Sequence, residues 1–187
     1  MKRILIMAMI SLISLHGFSQ EQIYKASKFS IRSDGKQDNT TSIQGAVDYI
    51  ADQGGGTLEF SVGRYRTGAV ELKSGVNIKL LEGAIIVGST NIYSYKGKPG
   101  IFWAEGQRNI IIDGRGVFDG RGAELRGNEE EQKSLGHIPE NHAIPALMSF
   151  KDCEGIVVKG IVLRNPATED PILSGKTGVE VQDVSIE

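Results

Sequence analysis

Two Asp-Gly-Arg-Gly units follow one another in the stretch IIIDGRGVFDGRG, residues 110 to 122. Asp113 and Asp119 lie six residues apart across a turn, a spacing at which two carboxylates could share general acid and base work. The same glycines could instead cradle a phosphate, or simply shape corners. A phosphate loop needs G-x-G-x-x-G between a strand and a helix. Gly114, Gly116 and Gly120 do not have that spacing, and a strand-like run surrounds them. The carboxylate pair and the turn remain open on the residues alone. In the turn reading, Asp caps backbone N–H groups, Gly takes a positive φ and Arg faces solvent.

Other reactive residue types are sparse. Cys153 is the single cysteine, which excludes an intrachain disulfide, and no histidine stands near it in SFKDCEGIVVKG. It reads as a small buried residue rather than a nucleophile. His137 and His142 sit in a polar segment with the acidic run Glu129, Glu130 and Glu131. The two histidines lack the i, i+4 helical spacing of a zinc site, and three adjacent glutamates do not reproduce a calcium-ligand spacing. No metal and no cofactor is expected.

The frame around these residues is built from short alternating runs. One clear helix is expected over 41–53, with Thr41 as N-cap and Gln44 three residues on as its capping-box partner. Ile43, Ala46, Val47, Ile50 and Ala51 give it one apolar face, and Gly54, Gly55 and Gly56 end it. Beyond it, runs of three to five residues alternate apolar and polar character between Gly, Ser and Asn breaks, and no second helical pattern is expected. The units GVNIKLLEGAIIVG, QRNIIIDGRGVFDG, CEGIVVKGIVLRN and KTGVEVQDVSIE share one layout, and the last two begin about 23 residues apart. That length fits one coil of a parallel β-helix, with the polar segment 121–145 inserted as a loop. The helix over 41–53 would cap the first coil, whose strand edges and apolar interior are otherwise open. An unprotected last coil would leave end-to-end self-association possible.

Length and charge narrow the function classes. The 187 residues with 40% apolar content suffice for one domain with a core or for part of a larger repetitive one. Residues 1–19 read as a signal peptide: Lys2 and Arg3, an apolar run from Ile4 to Leu15, then Gly17 and Ser19. Export to the periplasm or the extracellular space is expected, without a membrane span afterwards. Loss of Lys2 and Arg3 leaves 19 basic residues against 23 acidic ones, a net charge near −4. No basic stripe with interleaved aromatics appears, so nucleic acid is excluded as a partner.

The run from SDGKQDNTTSIQGAVDYI through GRYRTGAVELKSGVNIKLLEGA, with NIIIDGRGVFDGRG and LMSFKDCEGIVVKGIVLRNPATEDP, resembles the amino-terminal part of the polygalacturonase family of glycoside hydrolases, family 28, in the pectate-lyase-like superfamily. The resemblance implies an all-β fold, a right-handed parallel β-helix over 20–187, and hydrolysis of pectin-type polysaccharides. Family catalysis rests on aspartates in Asn-Thr-Asp and Asp-Asp motifs, then a Gly-His-Gly, and an Arg-Ile-Lys that binds the uronate carboxylate. Asn-Thr-Asp, Asp-Asp and Arg-Ile-Lys occur nowhere in this sequence, and Gly136-His137-Ile138 and Asn77-Ile78-Lys79 are only partial look-alikes. No catalytic residue is therefore assigned, the resemblance places Asp113 and Asp119 at two corners of one coil away from the catalytic strands, and the chain alone is expected to be an inactive scaffold. The resemblance implies Glu169 and Asp170, in the turn after Asn165-Pro166, as the acids nearest the cleft and the candidate substrate-binding residues. A solvated turn ahead of Pro171 is the plainer reading of the same pair. Alternatives are a non-catalytic glycan-binding or accessory β-helix, and a calcium-dependent lyase of the same superfamily.

Overall fold

In the computed structural model, residues 22–175 and 178–187 are described. The expected leader, 1–19, lies outside them. The chain winds as successive coils. The first holds β1 (Ile23–Lys25), a short 3-10 helix, β2 (Asp34–Asp38) and α1 (Thr40–Asp52). The second holds β3 (Gly56–Phe60), β4 (Gly63–Thr67) and β5 (Val70–Glu71), and the third β6 (Val76–Leu80), β7 (Ala84–Gly88) and β8 (Gly100–Glu105). The fourth holds β9 (Arg108–Gly114), β10 (Val117–Asp119), α2 (Gly122–Ser134) and β11 (Ala146–Lys151). Then come β12 (Glu154–Lys159), β13 (Val162–Arg164) and β14 (Ile172–Ser174), and last β15 (Val179–Gln182) and β16 (Ser185–Ile186).

Every strand pairing is parallel, and the coils stack into three sheets. Sheet A runs β1-β3-β6-β9-β12-β15, sheet B β2-β4-β7-β10-β13-β16, and sheet C β5-β8-β11-β14. This is a right-handed parallel β-helix, the fold that the alternating runs and the resemblance imply. Along sheet A, register partners stand 20, 34, 46 and 23 residues apart from Leu58 to Val181. The two long steps hold the 3-10 helix Ile92–Tyr95 and the α2 insertion, both placed outside the ladders. Extra residues project from the turns because a stacked strand cannot absorb them without losing register.

Alternation decides what lies inside. Tyr24, Leu58, Ile78, Ile112, Val158 and Val181 are register partners across sheet A, and all but Val181 are buried. Tyr65, Ile86, Phe118, Leu163 and Ile186 form the matching row on sheet B, and Val70, Phe102, Met148 and Ile172 on sheet C. Phe102 and Phe118 meet edge to face at 4.9 Å between ring centres, which joins the rows of sheets B and C. Cys153 is buried at a corner and its Sγ donates to the Lys151 carbonyl at 3.2 Å.

α1 occupies the place of sheet C in the first coil. Ile43, Ala46, Val47 and Ile50 are fully buried under it. Its amino end differs from the expectation: Asn39, not Thr41, is the N-cap residue, and the Asn39 side chain is turned away to bond the Arg32 backbone and the Arg66 carbonyl. Gln44 does not close a capping box either. Its amide accepts from the Glu71 N–H at 2.7 Å and donates to the Glu71 carbonyl at 3.0 Å, so one side chain substitutes for a neighbouring strand at the edge of sheet C. The helix ends where Gly55, at φ +107, passes so close to the Gly75 carbonyl that a Cβ would lie 2.7 Å from its oxygen.

The second helix corrects the reading of 121–145 as a plain loop. α2 is polar nearly all round, with only Leu125 as a buried large apolar residue, so no 3.6-residue apolar repeat announces it. Good helix formers and the i, i+4 pair Glu129–Lys133, 2.8 Å apart, hold it together. Among the described residues no helix is long and apolar enough to cross a membrane.

Candidate functional site

Each aspartate of the doubled unit has a structural position, and the two lie on different sheets. Asp113 belongs to β9 on sheet A, where register places it between Lys79 and Lys159. The outward row there reads Lys25, Glu59, Lys79, Asp113, Lys159, Gln182, with charges alternating in sign from Lys25 to Lys159. Opposite charges on neighbouring strands stabilise the ladder, and like charges would oppose it. Asp113 is thus a strand residue rather than the corner residue expected. Asp119 is a corner residue: its Oδ1 accepts from the Arg121 N–H at 3.2 Å and from Asn165 Nδ2, one coil on, at 3.0 Å. Gly114 must be glycine, since at φ +126 a Cβ would sit 2.0 Å from the Leu80 carbonyl oxygen. Positions on separate faces remove the catalytic-pair reading.

Glu169 and Asp170 are exposed in the turn that leads into β14, on the sheet C side. Thr168 Oγ1 donates to the Asp170 carbonyl at 2.7 Å, and the Pro171 carbonyl accepts from the Met148 N–H at 3.1 Å. The turn is held from below by α2, whose Arg126 donates to the carbonyls of Pro166 and Ala167 at 3.3 and 3.0 Å. Asn77, Ile78 and Lys79 lie in β6 of sheet A, and Gly136 to Ile138 follow α2, so neither look-alike joins this turn on sheet C.

The histidines and the acidic run separate in the same way. On α2, consecutive glutamates point about 100° apart. Only Glu129 is buried, bonded to Lys133 and 3.7 Å from His142 Nδ1, while His137 Nδ1 lies 3.0 Å from Gln132 Oε1. Among the described residues no group of three or more His, Cys, Asp or Glu could hold a metal ion.

Sheet C offers a more developed surface. Its outward row is Glu71, Trp103, Ser149 and Leu173, spaced by the strand separation of roughly 4.8 Å. Ser149 is buried and Leu173 exposed. At the α1 end the row opens into a groove of about 510 Å³. One wall is the polar face of α1, with Thr40, Thr41, Gln44, Gly45 and Asp48, and the other is the turn at Tyr95, Lys96 and Lys98. Trp103 forms the floor, with Lys98 Nζ 4.5 Å from its ring centre. Glu71 pairs with Lys73 at 3.2 Å. The Tyr95 hydroxyl points inward and donates to the Ser89 carbonyl at 2.7 Å, and burial raises its pKa well above the usual phenol range. Sequence reasoning missed this groove. The one legible signal was that alternation in GIFWAE turns Phe102 and Ala104 inward and the chain's only tryptophan outward.

No protein-family model matches the chain. A crystal structure of a "putative glycosyl hydrolase" from Parabacteroides merdae is 41% identical, with a TM-score of 0.86 over 89% of this chain and 75% of that one. The family 28 exopolygalacturonase of Yersinia enterocolitica superposes with a TM-score of 0.69 at 23% identity, over 87% of this chain and 39% of that enzyme. An exo-poly-alpha-D-galacturonosidase of Dickeya chrysanthemi is 29% identical over 121 residues, and the chain spans about a fifth of that relative, 20%. With the three-sheet coil and these similarities together, the chain belongs with the glycosyl hydrolase of Parabacteroides merdae and shares the right-handed parallel β-helix fold of the family 28 exopolygalacturonases.

Proposed function

We propose that the chain is the amino-terminal scaffold of an exported polysaccharide hydrolase that acts on pectin-type polysaccharides, and that it contributes binding surface along sheet C rather than the reacting carboxylates. Inverting hydrolysis requires a general acid and a general base roughly 6.5–9.5 Å apart, on opposite faces of the sugar. The reading draws its support from one combination: similarity to a glycosyl hydrolase and to the family 28 fold, in a sequence without Asn-Thr-Asp, Asp-Asp or Arg-Ile-Lys. Glu169 and Asp170 are the acids we assign to substrate contact, because their turn opens onto the outward row of sheet C.

Electrophoresis through gels with and without polygalacturonate, alongside a reducing-end assay, tests this. The expected result is retardation by the polysaccharide without release of reducing ends, and weaker retardation for Glu169→Ala with Asp170→Ala. Release of reducing ends by the chain alone, or migration unaffected by the polysaccharide, would overturn it. Export predicts a secreted form that begins near Gln20, which amino-terminal sequencing checks. The exposed row ends Val181 and Ile186 support end-to-end self-association as a companion reading. Sedimentation velocity decides that point, and a monomer at all concentrations would remove it.

A further inference from the structure

On the basis of the polysaccharide reading, we propose that the groove over Trp103 is a binding site for an acidic sugar residue, with its carboxylate held by Lys96 and Lys98 and its ring laid against the indole. Four observations lead there. First, the charges on the groove wall are unevenly spent. Lys73 is paired with Glu71, whereas Lys96 and Lys98 have no ion-pair partner within 4 Å among the described residues and face the single carboxylate of Asp48, which accepts from the neutral Gln44 amide. With three lysines against two carboxylates in its lining, the groove carries a net positive charge on a protein whose formal net charge is −2.

Second, Lys98 is already placed. Its ammonium rests over the Trp103 ring, which keeps it at the groove floor until a carboxylate draws it aside and frees the ring face for the sugar. Third, Lys96 closes the preceding 3-10 turn in the left-handed region at φ 51, a conformation uncommon for a side chain of this size. Fourth, Gly45 stands in the middle of α1, where glycine is a poor helix residue. A Cβ there would meet nothing within 4 Å, so packing does not demand the glycine. Its effect is to keep the α1 wall of the groove low.

A bare anion would use the lysines but not the flat apolar floor, and a neutral sugar would use the floor but not the lysines. A uronate residue uses both. The site lies at the α1 end of the row that passes Ser149 to reach Leu173 and the Glu169–Asp170 turn. A chain of acidic sugars running along sheet C would thus be anchored here, away from the reacting bond.

Trp103 is the only tryptophan, so its fluorescence reports this groove alone. We expect titration with trigalacturonate to give a saturable change in emission that weakens with added salt, and maltotriose to give none. Lys96→Gln with Lys98→Gln should weaken trigalacturonate binding about tenfold. Gly45→Gln should weaken it as strongly while leaving the thermal midpoint unchanged or higher, because glutamine is the better helix residue. An unchanged emission, equal response to maltotriose, or full affinity in both variants would overturn the site. If polygalacturonate still retards the chain in gels while Trp103 stays silent, the groove assignment fails and the polysaccharide reading stands. If neither responds, the polysaccharide reading fails with it.

Discussion

The two ends of the β-helix meet the same physical problem with different residues. At the α1 end, sheets A and B finish on β1 and β2, and sheet C finishes on the Gln44 amide, with Ile43, Ala46, Val47 and Ile50 sealed beneath. At the β15–β16 end, the rows that are fully buried at Val158 and Leu163 continue to Val181 and Ile186, which are 50% and 63% exposed. The inward pattern is the same at both. What differs is how far the described residues cover it, so a position's stability contribution in this chain depends on its coil more than on its residue type.

Substitutions along one row break this comparison most directly. Leu163→Ala, in the covered part of the sheet B row, should cost about 2–5 kcal/mol, as should Ile50→Ala under α1. Ile186→Ala, in the last coil of the same row, should cost less than about 1 kcal/mol. Equal costs in urea unfolding would mean that the two ends are equally covered in solution.

Gln44→Ala comes next. It leaves the Glu71 N–H and carbonyl without their partners at the edge of sheet C, at a cost of about 1–2 kcal/mol. Gln44→Glu should recover little of it, because a carboxylate cannot donate to the Glu71 carbonyl and it faces Asp48 one turn on. Smaller still is the corner at Asp119. Asp119→Ala removes acceptors for Arg121 and Asn165 and should cost about 1 kcal/mol, whereas Asp119→Asn keeps an oxygen there and should cost less.

The smallest effect concerns the exposed pair of Glu105 and Lys151 on adjacent strands of sheet C. The hydrogen bond and charge of Lys151 hold the Glu105 carboxyl below its ordinary value, and Glu105 raises Lys151 in return. Glu105's contribution is complete above the ordinary carboxylate range, roughly pH 4, and is lost as pH falls through its lowered value. That of Lys151 is complete below the usual lysine range and is lost as pH rises through its raised value. In Lys151→Met, carboxyl NMR titration should find Glu105 moved up towards its ordinary midpoint, with unfolding stability nearly unchanged.

Sequence patterns made the coil legible because alternation and corner glycines repeat with each turn. The amphipathic α1 was legible for the same reason, through Ile43, Ala46, Val47 and Ile50. α2 was not, because its stability comes from Glu129–Lys133 and from Arg126 on the Pro166–Ala167 turn, contacts that leave no apolar period. Asp113 was misread as a corner since its meaning lies in Lys79 and Lys159, which stand 34 and 46 residues away. The Trp103 groove was hidden for a related reason: its walls come from α1, from the turn at Lys96 and from β8, which only the coiling brings together.

Backbone NMR of the chain titrated with trigalacturonate tests the central claim, that an acidic polysaccharide lies along the outward row of sheet C. The account predicts shift changes concentrated at Trp103, Lys96 and Lys98 and extending towards Leu173 and the Glu169–Asp170 turn, with sheets A and B unaffected. Changes centred on the charged row of sheet A around Asp113, or on the exposed edges of β15 and β16, would contradict it.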